Sequence, residues 1–127
     1  GSTVWAHAVN GGVSGFSGGV AFYGSPYAAN GQPNVDSLTK IAKPVMLLSG
    51  SKDARIGAMM PAVDSVMKAL GKNYFGRNYE GAIHGFLRAQ DDAKEPRDQV
   101  EEQANLAATK DAWPRTLDFL RKNLQAR

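Results

Sequence analysis

Residues 44–50 read PVMLLSG, and the character of this run decides what kind of fold the chain can take. Val45, Met46, Leu47 and Leu48 are apolar without interruption, where a strand with one wet face would alternate apolar with polar. Unbroken runs belong to strands covered on both faces, which is the condition of a parallel sheet sandwiched by helices. The stretch therefore predicts a central parallel strand and an α/β protein around it.

The pattern holds on either side. Downstream, Val63, Val66, Met67 and Leu70 fall at i, i+3, i+4 and i+7, one face of a helix that Gly71 would end. NYFGRNY (residues 73–79) reads as the next strand. Upstream, VAFYG (residues 20–24) is β-branched and aromatic between glycines and reads as a strand. TVWAHAVN (residues 3–10) reads as a helix, less well as a strand, and is broken by Asn10, Gly11 and Gly12. GSPYAANGQPN (residues 24–34) supplies turn residues for a long surface loop. DDAKEPRDQVEE (residues 91–102) reads as a solvated loop entering a last helix. That helix would bury Trp113, Leu117, Leu120 and Leu124, with Pro114 in its first turn or at a kink. Trp113 and Phe119 are expected as packing residues, and His7 as a core or boundary histidine. Without internal repeats, the alternation predicts one domain over residues 1–127. It would be a three-layer α/β arrangement of about three mainly parallel strands flanked by helices.

Composition narrows the function classes. A chain of 127 residues with 43% hydrophobic and 21% charged residues is typical of a folded domain. Its net charge of +3 comes from 15 basic and 12 acidic side chains without a dense basic run, so nucleic acid is not an expected partner. There is no cysteine, which excludes a thiol nucleophile and disulfides, and with only two histidines no metal-binding spacing exists. No cofactor is expected. No apolar run approaches the roughly 18 residues of a membrane span and no leader opens the sequence, so the cytoplasm is the expected location.

Three features carry chemistry. GFSGG (residues 15–19) has the G-x-S-x-G form of a nucleophile elbow, which would make Ser17 a nucleophile. An elbow needs a strand before the serine and a helix after it, whereas GGVAFYG continues as extended chain. Asp53 follows the strand PVMLLSG, and His84 follows the strand that contains Tyr79. In open α/β sheets, the loops at the carboxyl ends of strands converge over one edge, so this acid and this imidazole are expected to meet. Taken singly, Asp53 would be a cap or loop residue within SKDAR, and His84 a turn residue beside Gly85.

In order, VAFYG, PVMLLSGSKDARI, MMPAVDSVMKALG, YEGAIHGF and DAWPRTLDFL resemble the dienelactone hydrolase family of α/β-hydrolases across nearly the whole chain. The resemblance implies a Cys or Ser nucleophile, an Asp and a His in that chain order, with Asp53 and His84 in the last two roles. It also implies that Arg88 grips a substrate carboxylate. In register with the family, TVWAHAV is similar to the helix after the elbow and GGVSGFSGG to the loop entering VAFYG. The elbow itself is then expected upstream of Gly1, and the chain corresponds to the C-terminal half of the fold. The implied function is hydrolysis of carboxylic esters or lactones, with the nucleophile coming from Ser17, an absent segment or a partner chain. The alternative is a non-catalytic remnant or binding module for a small carboxylate or ester ligand, or for another protein. A half fold leaves a sheet edge open, so a homodimer through that edge or its flanking helices is expected, or pairing with a separate N-terminal half.

Overall fold

The computed structural model describes residues 1–10, 15–26, 28–89 and 98–124. Helix α1 (Ser2–Val9) leads to strand β1 (Gly19–Phe22), and a small hairpin of β2 (Ala28–Ala29) and β3 (Gln32–Pro33) precedes the short helix α2 (Val35–Thr39). Strand β4 (Val45–Gly50), helix α3 (Ile56–Ala69), strand β5 (Tyr74–Tyr79), a 3-10 turn (Phe86–Arg88) and the long helix α4 (Gln99–Leu124) follow. The main sheet has the order β1-β4-β5, and both pairings are parallel. Gly19, Val45 and Tyr74 lie abreast at one end of it, and Gly50 lies opposite Tyr79 at the other.

All six residues of β4 are buried, as expected of the central strand. Successive side chains in a strand face opposite ways. Val45 and Leu47 accordingly join Trp5, Val9, Ile56, Met60 and Val63 beneath α1 and α3, while Met46 and Leu48 join Tyr79, Phe86, Ala108 and Ala112 beneath α4. The chain is thus a helix–sheet–helix sandwich, the α/β class that the continuous apolar run predicts.

Helix α3 contains Pro61, which has no amide hydrogen to give the carbonyl one turn back. Asn78 on β5 supplies the replacement, its Nδ2 donating to the Gly57 carbonyl at 3.0 Å. Gly71, at φ +63°, ends the helix in the left-handed conformation that favours glycine.

Three expectations are corrected, and one of the two alternatives for Pro114 falls. The loop over residues 24–34 holds the β2–β3 pairing, made possible by Asn30 and Gly31, both at positive φ. His7 is exposed, because Trp5, Ala8 and Val9 face the core from α1. Helix α4 starts at Gln99, so Pro114 stands inside it rather than in its first turn.

The largest departure concerns the face that α4 buries. Asn105, Ala108, Ala112 and Thr116 are turned inward, whereas Trp113, Leu117, Leu120 and Leu124 are exposed. Small side chains let α4 lie close on the 3-10 turn and β4, and that closeness leaves the large ones outside. Phe119 does pack on the sheet, beside Gly18. The expected solvated loop falls largely on residues 90–97, outside the described residues.

Candidate functional site

The loops after β4 and β5 are joined by backbone before any side chain takes part. Ser51 N–H donates to the Tyr79 carbonyl at 2.9 Å, and Lys52 N–H to the Ala82 carbonyl at 2.9 Å. Gly81 N–H donates to Ser51 Oγ at 2.8 Å. Such an approach requires glycine at position 50, where a β-carbon would overlap the Ala82 carbonyl. Helix α4 fixes the second loop from outside: Asn105 Oδ1 accepts from Ile83 N–H at 3.0 Å, and Thr109 Oγ1 donates to the Phe86 carbonyl at 3.3 Å. The loop that carries His84 is therefore held on both sides.

Within this frame Asp53 and His84 meet, His84 Nδ1 lying 2.6 Å from Asp53 Oδ2. The cap reading and the partner reading of Asp53 hold together, because its two oxygens divide the work. Oδ1 accepts from the amides of Arg55 and Ile56, both at 3.0 Å, at the start of α3. Oδ2 is left for the imidazole. Burial by itself would raise the Asp53 carboxyl, but the hydrogen bonds from His84 and from the Ile56 and Arg55 amides outweigh it and hold the group below the usual aspartate range. An ionised carboxylate can only accept, so the Nδ1 position carries the proton. In the neutral ring Nε2 is then the basic nitrogen, on a side chain that is about half exposed while Asp53 is almost wholly buried.

Tyr23 completes the floor of the site, and the sequence carries no signal for it beyond its place at the end of VAFYG. Its backbone has φ +36°, an uncommon conformation for a residue with a side chain, held by a 2.7 Å hydrogen bond from its amide to the Leu48 carbonyl. The ring is thereby brought to 5.1 Å from that of His84 and 5.6 Å from that of Phe86. Burial raises the Tyr23 hydroxyl above the usual tyrosine range, against the opposing charge of Arg88. Arg88 stands at the end of the 3-10 turn, and its guanidinium folds back over Gly85, the residue after His84. Its charge therefore acts on the phenol of Tyr23.

Ser17 lies elsewhere. It precedes β1 at the end of the sheet where Gly19 N–H bonds the Pro44 carbonyl, whereas Asp53 and His84 follow the opposite ends of β4 and β5. The four residues of β1 alone separate the two ends by about 13 Å. Ser17 Oγ has the Gly15 carbonyl as its partner, and the chain after it enters a strand. The start of α1, by contrast, reaches the same edge as the pair: the Gly1 backbone packs on Gly24 and the Phe22 carbonyl, just past β1, and Trp5 Nε1 donates to the Gly24 carbonyl at 3.2 Å. Among the described residues, no three His, Asp or Glu side chains converge in a way that could hold a metal ion. No described helix is long and apolar enough to cross a membrane.

Comparison with known proteins gives a consistent result. The model of the dienelactone hydrolase family matches residues 1–124. A solved structure from Klebsiella pneumoniae subsp. pneumoniae, described as a "putative dienelactone hydrolase", is 24% identical and superposes with a TM-score of 0.62. The match covers 91% of this chain and 45% of that one, so the chain spans less than half the length of that protein. At this identity the likeness shows the fold. No curated protein matches.

Proposed function

The chain belongs to the dienelactone hydrolase family, and on that premise we propose that it carries the acid–base half of a carboxylic ester or lactone hydrolase. The observation that supports this most is the 2.6 Å contact between a buried, ionised Asp53 and a half-exposed His84. In this reading Asp53 fixes the imidazole tautomer and stabilises the imidazolium. His84 Nε2 takes a proton from the attacking oxygen and returns it to the leaving group. The nucleophile's place is the start of α1, because Gly1 lies at the same edge of the sheet as the pair. Arg88 offers a planar fork to a ligand carboxylate on the rim. A cysteine-free chain suits a reducing compartment, and we assign it to the cytoplasm.

A second reading rests on Ser17. The G-x-S-x-G serine stands at the far end of β1, and no described hydroxyl is bonded to His84, which favours a binding module that keeps an acid–base pair without covalent turnover.

Hydrolysis of p-nitrophenyl acetate by the purified chain separates the two. The hydrolase reading expects a rate that His84→Ala abolishes and Ser17→Ala leaves unchanged. A rate indifferent to His84→Ala overturns it in favour of the binding module. Arg88→Ala should weaken carboxylate-bearing ligands and spare neutral ones; equal losses remove its assigned role.

A further inference from the structure

Tyr23 holds a conformation that a glycine would adopt more easily. Its φ of +36° lies in the left-handed region, where residues with side chains are uncommon. The chain does have a glycine nearby, but at position 24, one residue too late to relieve it. Backbone strain of this kind persists only where the surroundings over-determine it, and it gathers at functional sites. Here the Tyr23 amide, donating to the Leu48 carbonyl at 2.7 Å, carries the β1–β4 ladder one residue past Phe22. A glycine at position 23 could keep that bond without strain. What it would lose is the ring.

The ring is the end of a row. Tyr79 donates its hydroxyl to Asp111 on α4 at 2.9 Å, and its ring stands edge-on to the wholly buried Phe86 at 5.2 Å. Phe86 stands edge-on to Tyr23 at 5.6 Å, and Tyr23 meets the imidazole of His84 at 5.1 Å, with the planes inclined at 59°. Three aromatic rings, anchored on the last helix, are thus stacked behind the imidazole.

His84 needs that support. Its hydrogen bond to Asp53, 2.6 Å from Nδ1 to Oδ2, fixes one atom of the ring, and the half-exposed side chain could still swing about that point. A second contact, on the plane of the ring, removes this freedom. We propose that Tyr23 is a positioning residue for His84: its ring backs the imidazole, so that Nδ1 stays on Asp53 while Nε2 is kept free for a reacting group. Its part in turnover rests on the hydrolase reading of the site, whereas its part in the geometry does not. The strained φ is then the means by which a β1 residue is turned toward the loop after β5.

The Nδ1 proton of His84 reports this geometry without turnover. In proton NMR at low temperature it should resonate far downfield of the amides, identified by its absence from His84→Gln. Tyr23→Phe keeps the ring and should retain the signal. Tyr23→Gly removes the ring and relieves the φ, and Tyr23→Leu keeps apolar volume against Phe86 without a flat face. Both should keep the parent's circular dichroism spectrum and lose the signal to exchange with water. A packing role expects the reverse, lowered stability with the signal intact. Should Tyr23→Gly not fold, Tyr23→Leu decides. Retention of the signal in either folded variant, its loss in Tyr23→Phe, its absence from the parent chain, or failure of both ring-less variants to fold would overturn the proposal. Where the chain hydrolyses p-nitrophenyl acetate, kcat should fall about tenfold or more in Tyr23→Gly and return in Tyr23→Phe. The two readings fail separately. Without the hydrolase, esters are untouched while the proton signals keep their order; without the positioning, that order is lost while His84→Ala still abolishes hydrolysis.

Discussion

At the edge where the loops after β4 and β5 converge, polar groups answer one another: Asp53 divides its oxygens between the start of α3 and His84, and Ser51 and Asn105 hold the loop that carries the imidazole. Along the outer flank of α4, five large apolar side chains have little of their own chain to cover them. Directional interactions with internal partners hold a geometry, whereas the apolar flank of α4 is fixed by no such interactions. The two regions also differ in tolerance. The first depends on distances of a few tenths of an ångström, and the second on area alone.

Substitutions can break or sharpen this contrast. The largest effect is expected of Asp53→Asn. Asn keeps an oxygen for the Arg55 and Ile56 amides, so α3 should survive, but its Nδ2 would donate to His84 Nδ1 and force the imidazole into the wrong tautomer. If the chain hydrolyses esters through His84, kcat/KM should fall about 10³-fold or more. A near-normal rate would show that the pair is structural only.

Gly50→Ala comes next. The added carbon would push the Asp53 loop from the Ala82 carbonyl, costing about 3 kcal/mol or more in chemical denaturation, with the loss of the His84–Asp53 hydrogen bond visible by NMR. Acid should act more gently. The Asp53 carboxyl is held below the usual aspartate range, so its contribution to stability is fully present above the ordinary aspartate value of about 3.9 and is lost as pH falls through the depressed native value. Denaturation midpoints measured down this range should show an acid limb that Asp53→Asn flattens.

The smallest effect is expected on α4. Trp113→Gln or Leu120→Gln should change unfolding free energy by no more than about 0.5 kcal/mol, since neither side chain fills the core. A loss of about 2 kcal/mol or more would mean that the ridge packs within its own chain.

Much of the fold was legible because its signals are local. The apolar run of β4, the i, i+3, i+4 spacing of α3 and the glycines around β1 describe how a segment meets its own covering layers, and each is written in neighbouring residues. The Asp53 and His84 pairing was legible for a related reason: both stand just past strands of one parallel sheet, and parallel order brings such loops to one edge. The α4 face was misread because periodicity was followed through its largest residues, while depth was decided by Ala108, Ala112 and Thr116, whose small size lets the helix approach. Tyr23 left no trace, since its placement depends on a positive φ imposed by the Leu48 carbonyl.

By itself, then, the sequence determined the alternation of strands and helices, the central position of residues 45–50 and the chain order of the acid and the imidazole, because backbone propensity and burial period act over a few residues. Only the tertiary structure decided which flank of α4 faces outward, how Asp53 serves two partners at once and why Ser17 stands apart from them. Those outcomes depend on close approach between segments distant in the chain, where steric fit and hydrogen-bond geometry override local preference.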